Sequence, residues 1–308
     1  MAAVDCGTNT IKLLVADLDP VTGTQDSLVR EMRIVRLGQG VDRTGRLDEE
    51  ALRRVFAATE EYAAVITSHD VAAVRFVATS AVRDASNAEV FVEGIHARLG
   101  VEPEVVTGDE EAQLSYDGAT RSLPAVASPI AVLDIGGGST ELIVGDANGE
   151  VRAVRSLDIG SVRLTERLMP SDPPTSGEVA AATRVVEEEL DTLPSYAVQV
   201  ADAPTLVGVA GTVTTLACLL LGLRTWDRER VHHASFAPAD VRDLAARVLA
   251  MTVAERESLG VPAGRSDVIG AGAVILDRVL ARSSAERLTV SDSDILDGIA
   301  WSIAEGRG

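Results

Sequence analysis

The sequence predicts an α/β protein made of two ribonuclease-H-like domains with a cleft between them. A glycine-rich turn between two apolar stretches at 130–145 has a counterpart at 2–17, and internal similarity at this spacing indicates a duplicated unit. Each half starts with three strands, of which the first two form this hairpin, and continues with alternating helices and strands. This is the order of a mixed sheet with helices on its faces. A length of 308 residues fits two such domains better than one.

Apolar periodicity and turn residues divide the first half into a hairpin, a third strand, and then alternating helices and strands. Strands are expected at 2–6, 11–17, 27–37, 71–78 and 104–106, and helices at 48–68, at 87–99 and from 107 onward. Pro124, Pro129 and several small residues indicate a crossover at about 119–129. We therefore expect domain I to span 1–122, joined by a C-terminal helix at 293–305, and domain II to span 123–308.

The second half repeats this order of elements. Strands are expected at 130–134, 140–145, 150–157, 205–209 and 288–290, and helices at 177–193, 238–250, 253–259, 267–282 and 294–304. A Gly/Thr turn at 210–215 is expected to open one further helix.

Composition narrows the class of protein. The formal net charge of −19 argues against a general nucleic-acid or acidic-membrane surface. No apolar run approaches the roughly 20 residues of a transmembrane helix, and the N-terminus has no signal-peptide pattern. The two cysteines, Cys6 and Cys218, are far apart in sequence and indicate reduced thiols. We therefore expect a cytoplasmic protein whose partners include neither nucleic acid nor membrane.

The strongest local signal is the turn at 134–141, where an apolar strand ends in Asp134 and a second strand starts after Glu141. Glycines at 136–138 allow a ligand to approach the backbone N–H groups, which form a nest suited to phosphate. The two acids would repel bare phosphate, so a hard divalent cation is expected between them and the phosphate oxygens. The alternative is an ordinary glycine-rich hairpin with acidic flanks.

The N-terminal stretch repeats this pattern, with Asp5 ending a strand before a turn of glycine, hydroxyl and polar residues. A third turn at Gly211 and Thr212 opens a helix, whose first N–H groups favour an anion. Three such turns in a duplicated fold indicate a nucleotide or polyphosphate site. The sequence contains neither a Walker A lysine loop nor GxGxxG, which excludes P-loop and Rossmann sites.

Two adjacent acids and two cations are candidates for further roles. Thr107 and Glu110 fit a capping box, whereas Glu111 has no such duty and is a candidate general base. Arg83 and Lys12 lie next to the expected turns, where a cation could bind phosphate oxygens. The alternative for Glu111, Arg83 and Lys12 is a solvated surface charge.

Five motifs in order resemble the exopolyphosphatase/guanosine pentaphosphate phosphohydrolase (Ppx/GppA) family. Residues 3–10 (AVDCGTNT) are similar to its A-[IV]-D-x-G-S-N-S, and residues 78–87 (ATSAVRDASN) to its A-T-S-A-x-R-x-A-x-N. Residues 107–112 (TGDEEA) resemble S-G-x-E-E-A, residues 134–141 reproduce D-I-G-G-G-S-T-E, and residues 208–212 (GVAGT) resemble G-x-[SA]-G-T. The resemblance covers nearly the whole chain and implies the fold of the actin, sugar-kinase and heat-shock ATPase superfamily.

The resemblance also implies roles for individual residues. Glu111 would activate the attacking water, and Arg83 would hold the phosphate that is cleaved. Asp134, Glu141 and Asp5 would hold Mg²⁺, partly through waters. The phosphate-binding set would be Gly7, Thr8, Asn9, Thr10, Lys12, Gly136, Gly137, Gly138, Ser139, Gly211 and Thr212.

The chain departs from the family pattern near its C-terminus. The family's G-L-R-E-G is replaced by Asp294–Gly298, so Leu296 and Asp297 stand where Arg and Glu are expected. Any substrate contact at these two positions is therefore in doubt. Larger members carry an added helical domain resembling HD phosphohydrolases, and we expect this chain to represent the short two-domain form.

The function expected from these motifs is Mg²⁺-dependent release of the terminal phosphate from inorganic polyphosphate, with short chains favoured, or from pppGpp to give ppGpp. One alternative is a kinase of the same superfamily, for which the sequence shows no acceptor-site motif. Another is a non-catalytic regulator that binds polyphosphate or the guanosine penta- and tetraphosphates. The sequence leaves open which substrate is preferred and whether the chain forms a homodimer.

Overall fold

The computed structural model describes residues 1–193 and 201–307 and divides the chain into two compact units. Unit 1 consists of Met1–Gly118 and Asp294–Gly308, and unit 2 consists of Ala119–Ser293. Each unit has its own sheet with helices packed against it, so the predicted fold class of two ribonuclease-H-like α/β domains is confirmed. No helix in the described part of the chain is long and apolar enough to cross a membrane.

Unit 1 is built on a five-stranded sheet in the order β3-β2-β1-β4-β5. Strand β1 pairs antiparallel with β2 and parallel with β4. The strands of unit 1 are β1 Ala2–Cys6, β2 Thr10–Asp19, β3 Thr24–Ile34, β4 Val74–Ala78 and β5 Glu104–Val105. Its helices are α1 Val41–Thr44, α2 Glu49–Ser68, α3 Ser80–Arg83, α4 Ala88–Leu99, α5 Gly108–Arg121, whose last three residues lie in unit 2, and α14 Ile295–Ala304.

Helices α2 and α14 show why unit 1 closes around β1. Helix α2 begins after Asp48, whose carboxylate accepts the N–H groups of Glu50 and Ala51. One face of α2 then packs into a core with β1, β2 and β4. Helix α14 packs a second apolar cluster onto the other face of the same strands, which leaves β1 buried along its whole length.

Unit 2 repeats the arrangement with a six-stranded sheet in the order β10-β11-β9-β6-β7-β8. Its strands are β6 Ile130–Ile135, β7 Thr140–Gly145, β8 Val151–Leu157, β9 Thr205–Val209, β10 Ser235–Phe236 and β11 Leu288–Val290. Its described helices are α6 Ser161–Leu168, α7 Ser176–Asp191, α8 Ala210–Leu220, α9 Arg228–Val231, α10 Pro238–Leu249, α11 Val253–Ser258, α12 Ala263–Ser266 and α13 Ile269–Arg282.

The carboxyl ends of three parallel strands meet at one edge of the unit 2 sheet. Strand β6 is parallel to β9, and β9 is parallel to β11. The chain leaves β6 into the turn at 136–139, leaves β9 into α8, and leaves β11 into the segment 291–293. Parallel strands lie about 4.8 Å apart, so this edge collects three loops within roughly 10 Å.

The structure corrects several element boundaries. Strand β3 begins three residues earlier than expected and ends at Ile34, and α5 continues to Arg121 into the expected crossover. Strand β4 begins at Val74, not at residue 71. The short helix α6 was not expected, because only two turns of apolar periodicity precede Pro170.

Candidate active site

The unit 2 hairpin brings two acids face to face. Strands β6 and β7 are antiparallel, and their register places Asp134 opposite Glu141. Both are buried, with 7% and 1% of their surface exposed. The N–H of Gly136 donates to the carbonyl of Ser139 at 3.0 Å and closes the turn. Two buried carboxylates at facing positions are costly unless a cation or hydrogen-bond donors accompany them.

Helix α6 holds the glycine turn from one side. The backbone N–H groups of Ser161 and Val162 donate to the first and second glycine carbonyls of 136–138 at 3.0 and 2.9 Å, and Arg163 Nε donates to the third at 2.7 Å. A Cβ on Gly160 would lie 2.3 Å from a carbonyl oxygen of this turn, so only glycine allows the approach. All three carbonyls are therefore engaged by α6, which fixes the orientation of the peptide planes.

The acid pair fits a magnesium ion in its donor chemistry. The hydroxyl of Ser156 on β8 donates to Glu141 Oε1 at 2.7 Å and orients that carboxylate. Within 1–193 and 201–307, no group of three or more His, Cys, Asp or Glu side chains is arranged to hold a metal. Mg²⁺ usually takes one or two carboxylates and completes its shell with waters and substrate phosphates. Asp134 and Glu141 match that partial set.

A second phosphate candidate lies where β9 meets α8. Ala210 has a left-handed φ of 63°, and Val209 at the N-cap offers no side-chain hydrogen bond to the helix. Left-handed alanine is strained, and such strain is concentrated at functional sites. Arg265 Nη1 donates to the Gly211 carbonyl at 3.2 Å and to Thr215 Oγ1 at 2.9 Å, and no local sequence pattern indicates this residue. Burial lowers the pKa of the Arg265 guanidinium.

The glycine at this turn is required by close packing. A Cβ on Gly211 would lie 2.5 Å from the Arg265 guanidinium, so a larger residue would displace the arginine. The Thr212 side chain is buried against Gly272, where an added Cβ would lie 2.6 Å from its methyl group. Thr212 therefore presents its backbone N–H, and not its hydroxyl, at the start of α8.

The unit 1 hairpin carries a lysine where the unit 2 hairpin carries its second acid. The register of β1 and β2 places Asp5 opposite Lys12, and the Gly7 N–H donates to the Thr10 carbonyl at 2.9 Å. Lys12 Nζ lies 3.3 Å from Asp5 Oδ2 and 2.6 Å from Asp294 Oδ2. Asp294, at the start of α14, is a partner that sequence reasoning missed.

The two acids on Lys12 differ in their protonation behaviour. Burial raises the pKa of Asp5, and Lys12 offsets only part of that effect. Burial also acts on Asp294, but Lys12 and Arg30 outweigh it and the pKa of Asp294 is lowered. The shorter contact agrees with this difference, because Lys12 is closer to the acid with the lowered pKa. Lys12 is thus primarily the partner of Asp294.

The rest of the first turn is fixed by contacts within unit 1. Thr8 Oγ1 lies 2.9 Å from Ser80 Oγ, and both residues are buried. The Asn9 carbonyl accepts the N–H groups of Val35 and Arg36. A Cβ on Gly38 would lie 2.2 Å from the Thr8 methyl group. These contacts hold the turn in place and add Ser80 to the residues around it.

Glu111, the candidate general base, and Arg83, the candidate phosphate ligand, are in direct contact. Arg83 Nη1 donates to Glu111 Oε2 at 3.0 Å and to the Val106 carbonyl at 2.9 Å. Glu111 is 8% exposed at the start of α5. The guanidinium therefore fixes the direction of this carboxylate.

The Glu110 side chain lies in a different environment from that of Glu111. The Thr107 hydroxyl accepts the Glu110 N–H at 3.2 Å, which is one half of the expected capping box. The Glu110 carboxylate lies 3.4 Å from Arg75 Nη2, and the side chain is largely solvent-accessible. The two adjacent glutamates are thus separated into a surface acid and a buried one.

The C-terminal departure from the family pattern is structural. Leu296 is completely buried in the apolar cluster beneath α14. Asp297 accepts hydrogen bonds from Gln25 and Arg30, and a Cβ on Gly298 would lie 1.9 Å from the Leu114 carbonyl oxygen. The replacement of Arg by Leu therefore removes a polar side chain from this position and places an apolar one in the core.

Comparison with known proteins places these motifs in a family context. The model of the Ppx/GppA phosphatase family matches residues 14–305. Exopolyphosphatase 2 of Mycobacterium tuberculosis is 46% identical over 99% of this chain and 98% of its own length. A guanosine-5'-triphosphate,3'-diphosphate pyrophosphatase of Photobacterium profundum is 30% identical over 71% of this chain and 43% of its own length.

Solved structures agree with this match. The crystal structure of an exopolyphosphatase-like protein is 39% identical, with a TM-score of 0.93 over 99% of this chain and 98% of that one. The crystal structure of the Aquifex aeolicus member of the Ppx/GppA family is 32% identical, with a TM-score of 0.83 over 100% of this chain and 98% of that one.

Proposed function

Because this chain belongs to the Ppx/GppA phosphatase family, we propose that it releases the terminal phosphate of a phosphoanhydride chain in a Mg²⁺-dependent hydrolysis. Water attacks the terminal phosphorus, the bridging P–O bond breaks, and the products are orthophosphate and a chain shorter by one phosphate. The observation that supports this most directly is the pair of facing buried acids, Asp134 and Glu141, beside a glycine turn.

The unit 2 turn suits a phosphate because of how its peptides are oriented. All three glycine carbonyls of 136–138 are engaged by α6 residues, which turns the N–H edge of these peptides toward the opposite side. A row of N–H groups in a tight turn favours an anion. Gly136 to Ser139 would thus bind phosphate oxygens, and Gly211 and Thr212 would add the N-terminus of α8.

Mg²⁺ would be held by Asp134 and Glu141, with Ser156 keeping Glu141 in position. When bound, the ion would neutralise charge on the phosphate oxygens and allow a polyanion to approach two acids. Asp5 is the weakest of the three proposed ligands, because Lys12 already lies 3.3 Å from its carboxylate. In unit 1, the residues proposed to bind phosphate are Gly7 to Thr10 and Lys12.

Glu111 is the proposed general base. Its carboxylate is buried, and its direction is fixed by Arg83. Arg83 is proposed to hold the phosphate that is cleaved, which its guanidinium could do while one nitrogen remains on Glu111. Phosphoryl transfer depends mainly on positioning and charge neutralisation, and both depend on fixed groups such as these.

The proposed substrates are inorganic polyphosphate and pppGpp, and short chains are expected to be favoured. The net charge is −19, so a long polyanion that leaves the site runs over a surface that is acidic on average. Repulsion between exposed charges extends over about 8 Å at physiological salt, which penalises each further phosphate. Long-chain hydrolysis is therefore expected to be distributive and to increase as salt screens the repulsion.

A phosphate-release assay without any acceptor tests the function. Wild-type protein with Mg²⁺ is expected to release orthophosphate from tripolyphosphate and pppGpp. Glu111→Gln should lower this rate about 10²–10⁴-fold while the protein remains folded, since general-base assistance is lost. Glu110→Gln is the matched control, because the neighbouring side chain is exposed and paired with Arg75.

Three outcomes of this assay contradict parts of the proposal. Tight binding of pppGpp or polyphosphate with no release by the wild type would identify a regulator instead of an enzyme. Release that requires an added hydroxyl acceptor would identify a kinase. An inactive Glu110→Gln beside an active Glu111→Gln would reverse the assignment of the base.

A further inference from the structure

Two adjacent histidines stack at the edge of the unit 2 sheet and have no role in the function proposed above. The ring centroids of His232 and His233 lie 3.7 Å apart at an interplanar angle of 30°. The Nε2 atoms of both rings lie near the hydroxyl oxygen of Ser122, at 3.3 and 3.4 Å. Such a pair concentrates two titratable groups whose ordinary pKa lies close to physiological pH.

The pair is anchored at the edge where the phosphate turns lie. The N–H of His233 donates to the carbonyl of Val290, the last residue of β11, at 2.7 Å, and His233 has a left-handed φ of 65°. The N–H of Ser291 donates to the Gly208 carbonyl on β9, shortly before the Gly211 turn. The pair lies on the β10 side of β11, so it is about two strand spacings from the β9 turn and three from the β6 turn, or roughly 10 and 14 Å across the sheet.

The hydrogen bonds define the neutral tautomers. The Asp292 N–H donates to His232 Nδ1 at 3.1 Å, so the proton of neutral His232 is on Nε2 and points to Ser122. When neutral His233 carries its proton on Nδ1, the Ser122 hydroxyl donates its own hydrogen to His233 Nε2. In this state the hydroxyl hydrogen is used within the cluster and cannot serve a ligand.

Protonation changes this cluster in a definite way. The first added proton goes to His233 Nε2, because protonating His232 Nδ1 would set two N–H groups against each other. His233 then donates to Ser122, whose hydroxyl hydrogen is released to donate outward. One added proton therefore creates both a positive charge and an oriented O–H donor.

The charged groups around the pair balance one another at neutral pH. Arg228 Nε donates to Asp292 at 2.7 Å, and Arg228 Nη2 donates to Ser293 Oγ at 3.3 Å. The other charged side chains on α9 and beside Ser122 are Asp227, Glu229, Arg230 and Arg121. These segments thus carry three arginines and three acids, counting Arg228 and Asp292, and protonation of the histidines adds positive charge that favours an anion.

We propose that His232, His233 and Arg228 form a proton-dependent anion subsite for a distal phosphate of the substrate chain. The proposal rests on the proposed function, because the terminal phosphate must occupy the glycine turns of the same unit. Burial and the nearby Arg228 lower the pKa of His233, so the proton is unfavourable until an anion offsets it. Binding of a phosphate chain should therefore be accompanied by proton uptake.

Calorimetry on the whole protein tests this subsite. Inorganic polyphosphate of medium length is titrated at pH 6.5 in two buffers of different ionisation enthalpy, with Mg²⁺ present. Every protein compared, including the one called wild type in this experiment, carries Glu111→Gln so that the chain is not hydrolysed during the titration. The wild type should take up close to one proton more than His233→Gln, and its affinity should rise up to about tenfold per unit of falling pH. Pyrophosphate, which is too short to reach the subsite, should show no such difference between the two proteins.

His69→Gln is the matched control, since His69 is exposed in unit 1 and bonds locally to Ser68 and Val65. Equal proton uptake in wild type, His233→Gln and His69→Gln would overturn the subsite, as would identical pH dependence of affinity. Failure of the proposed function would appear separately, as absence of orthophosphate release by the wild type while binding persists. Absence of any polyphosphate binding would overturn both.

Discussion

The two hairpins share one strand register and one closing hydrogen bond, and they differ in the charge of the residue that faces the strand-ending aspartate. Asp5 faces Lys12 in unit 1, and Asp134 faces Glu141 in unit 2, each pair seven residues apart. The closing bonds, Gly7 to Thr10 and Gly136 to Ser139, also correspond. Under the proposed function, the first turn carries its own cation and the second takes one from solution.

Exchange of the charge at position 141 is expected to have the largest effect on the difference between the two hairpins. Glu141→Lys gives the second hairpin the charge pattern of the first. We expect the rate of orthophosphate release to fall on the order of 10³-fold, because one essential element of charge stabilisation is lost. The measurement is kcat at saturating Mg²⁺, with Glu141→Gln as the variant that removes the charge without adding a lysine.

Retention of Mg²⁺-dependent activity by Glu141→Lys would show that the second acid does not distinguish the hairpins. A fold check by circular dichroism separates this result from simple unfolding, since Glu141 is buried.

Removal of the Lys12 ammonium group should lower the stability of unit 1. Lys12→Met leaves Asp5 and Asp294 buried without the ammonium group that lies between them. Breaking a buried ion pair in this way typically costs about 3–5 kcal/mol in the free energy of unfolding. Urea unfolding of wild type and variant measures the difference.

A loss below about 1 kcal/mol would mean that Lys12 is not the main counter-charge of these acids. The double variant Lys12→Met with Asp294→Asn should recover part of the loss, because Asn remains a good N-cap for α14.

The hydrogen bond from Ser156 to Glu141 provides a test of the proposed metal contact in the second hairpin. Ser156→Ala removes the 2.7 Å hydrogen bond that orients Glu141 and leaves both acids in place. Loss of such outer partners typically lowers metal affinity about 10–100-fold. The Mg²⁺ concentration for half-maximal activity should therefore rise, while kcat at saturating Mg²⁺ changes little. An unchanged Mg²⁺ requirement would argue that Glu141 does not contact the ion.

The smallest expected effect comes from weakening the ion pair between Lys12 and Asp294. Asp294→Asn removes the closer of its two acid partners and leaves Asp5 at 3.3 Å. The positive charge of Lys12 is then less neutralised and attracts a phosphate more strongly. We therefore expect KM for tripolyphosphate to fall about twofold, equivalent to less than 1 kcal/mol. A rise in KM would indicate that Asp294 positions Lys12 for the substrate instead of competing with it.

The sequence predicted what depends on local patterns. The two turns, the acids that precede them and the strands around them follow from glycine positions and apolar runs within about ten residues. The fold class and the family followed from the repetition and order of these patterns, and both are confirmed. Separation of Glu110 from Glu111 also followed locally, from the capping pattern at Thr107.

Contacts between distant segments could not be predicted in the same way. Asp294 is 282 residues from Lys12, and Arg265 is 54 residues from Gly211. Nothing in the local sequence of either residue indicates its partner, because tertiary packing alone brings them together. Leu296 is a related case, since its removal from the surface follows from the packing of α14 and not from its neighbours in sequence.

The central claim, that the second hairpin depends on an external cation and the first does not, is tested most directly by a Mg²⁺ titration of two equivalent variants. Asp134→Asn and Asp5→Asn alter the same position of each hairpin, and Asp26→Asn on the exposed part of β3 is the control. Mn²⁺ binding followed by water-proton relaxation supplies a readout independent of activity. We expect Asp134→Asn to raise the half-saturating Mg²⁺ concentration about tenfold or more, and Asp5→Asn, which alters the weakest of the proposed ligands, to raise it at most about twofold. Equal shifts in both variants, or a larger shift in Asp5→Asn, would contradict the account.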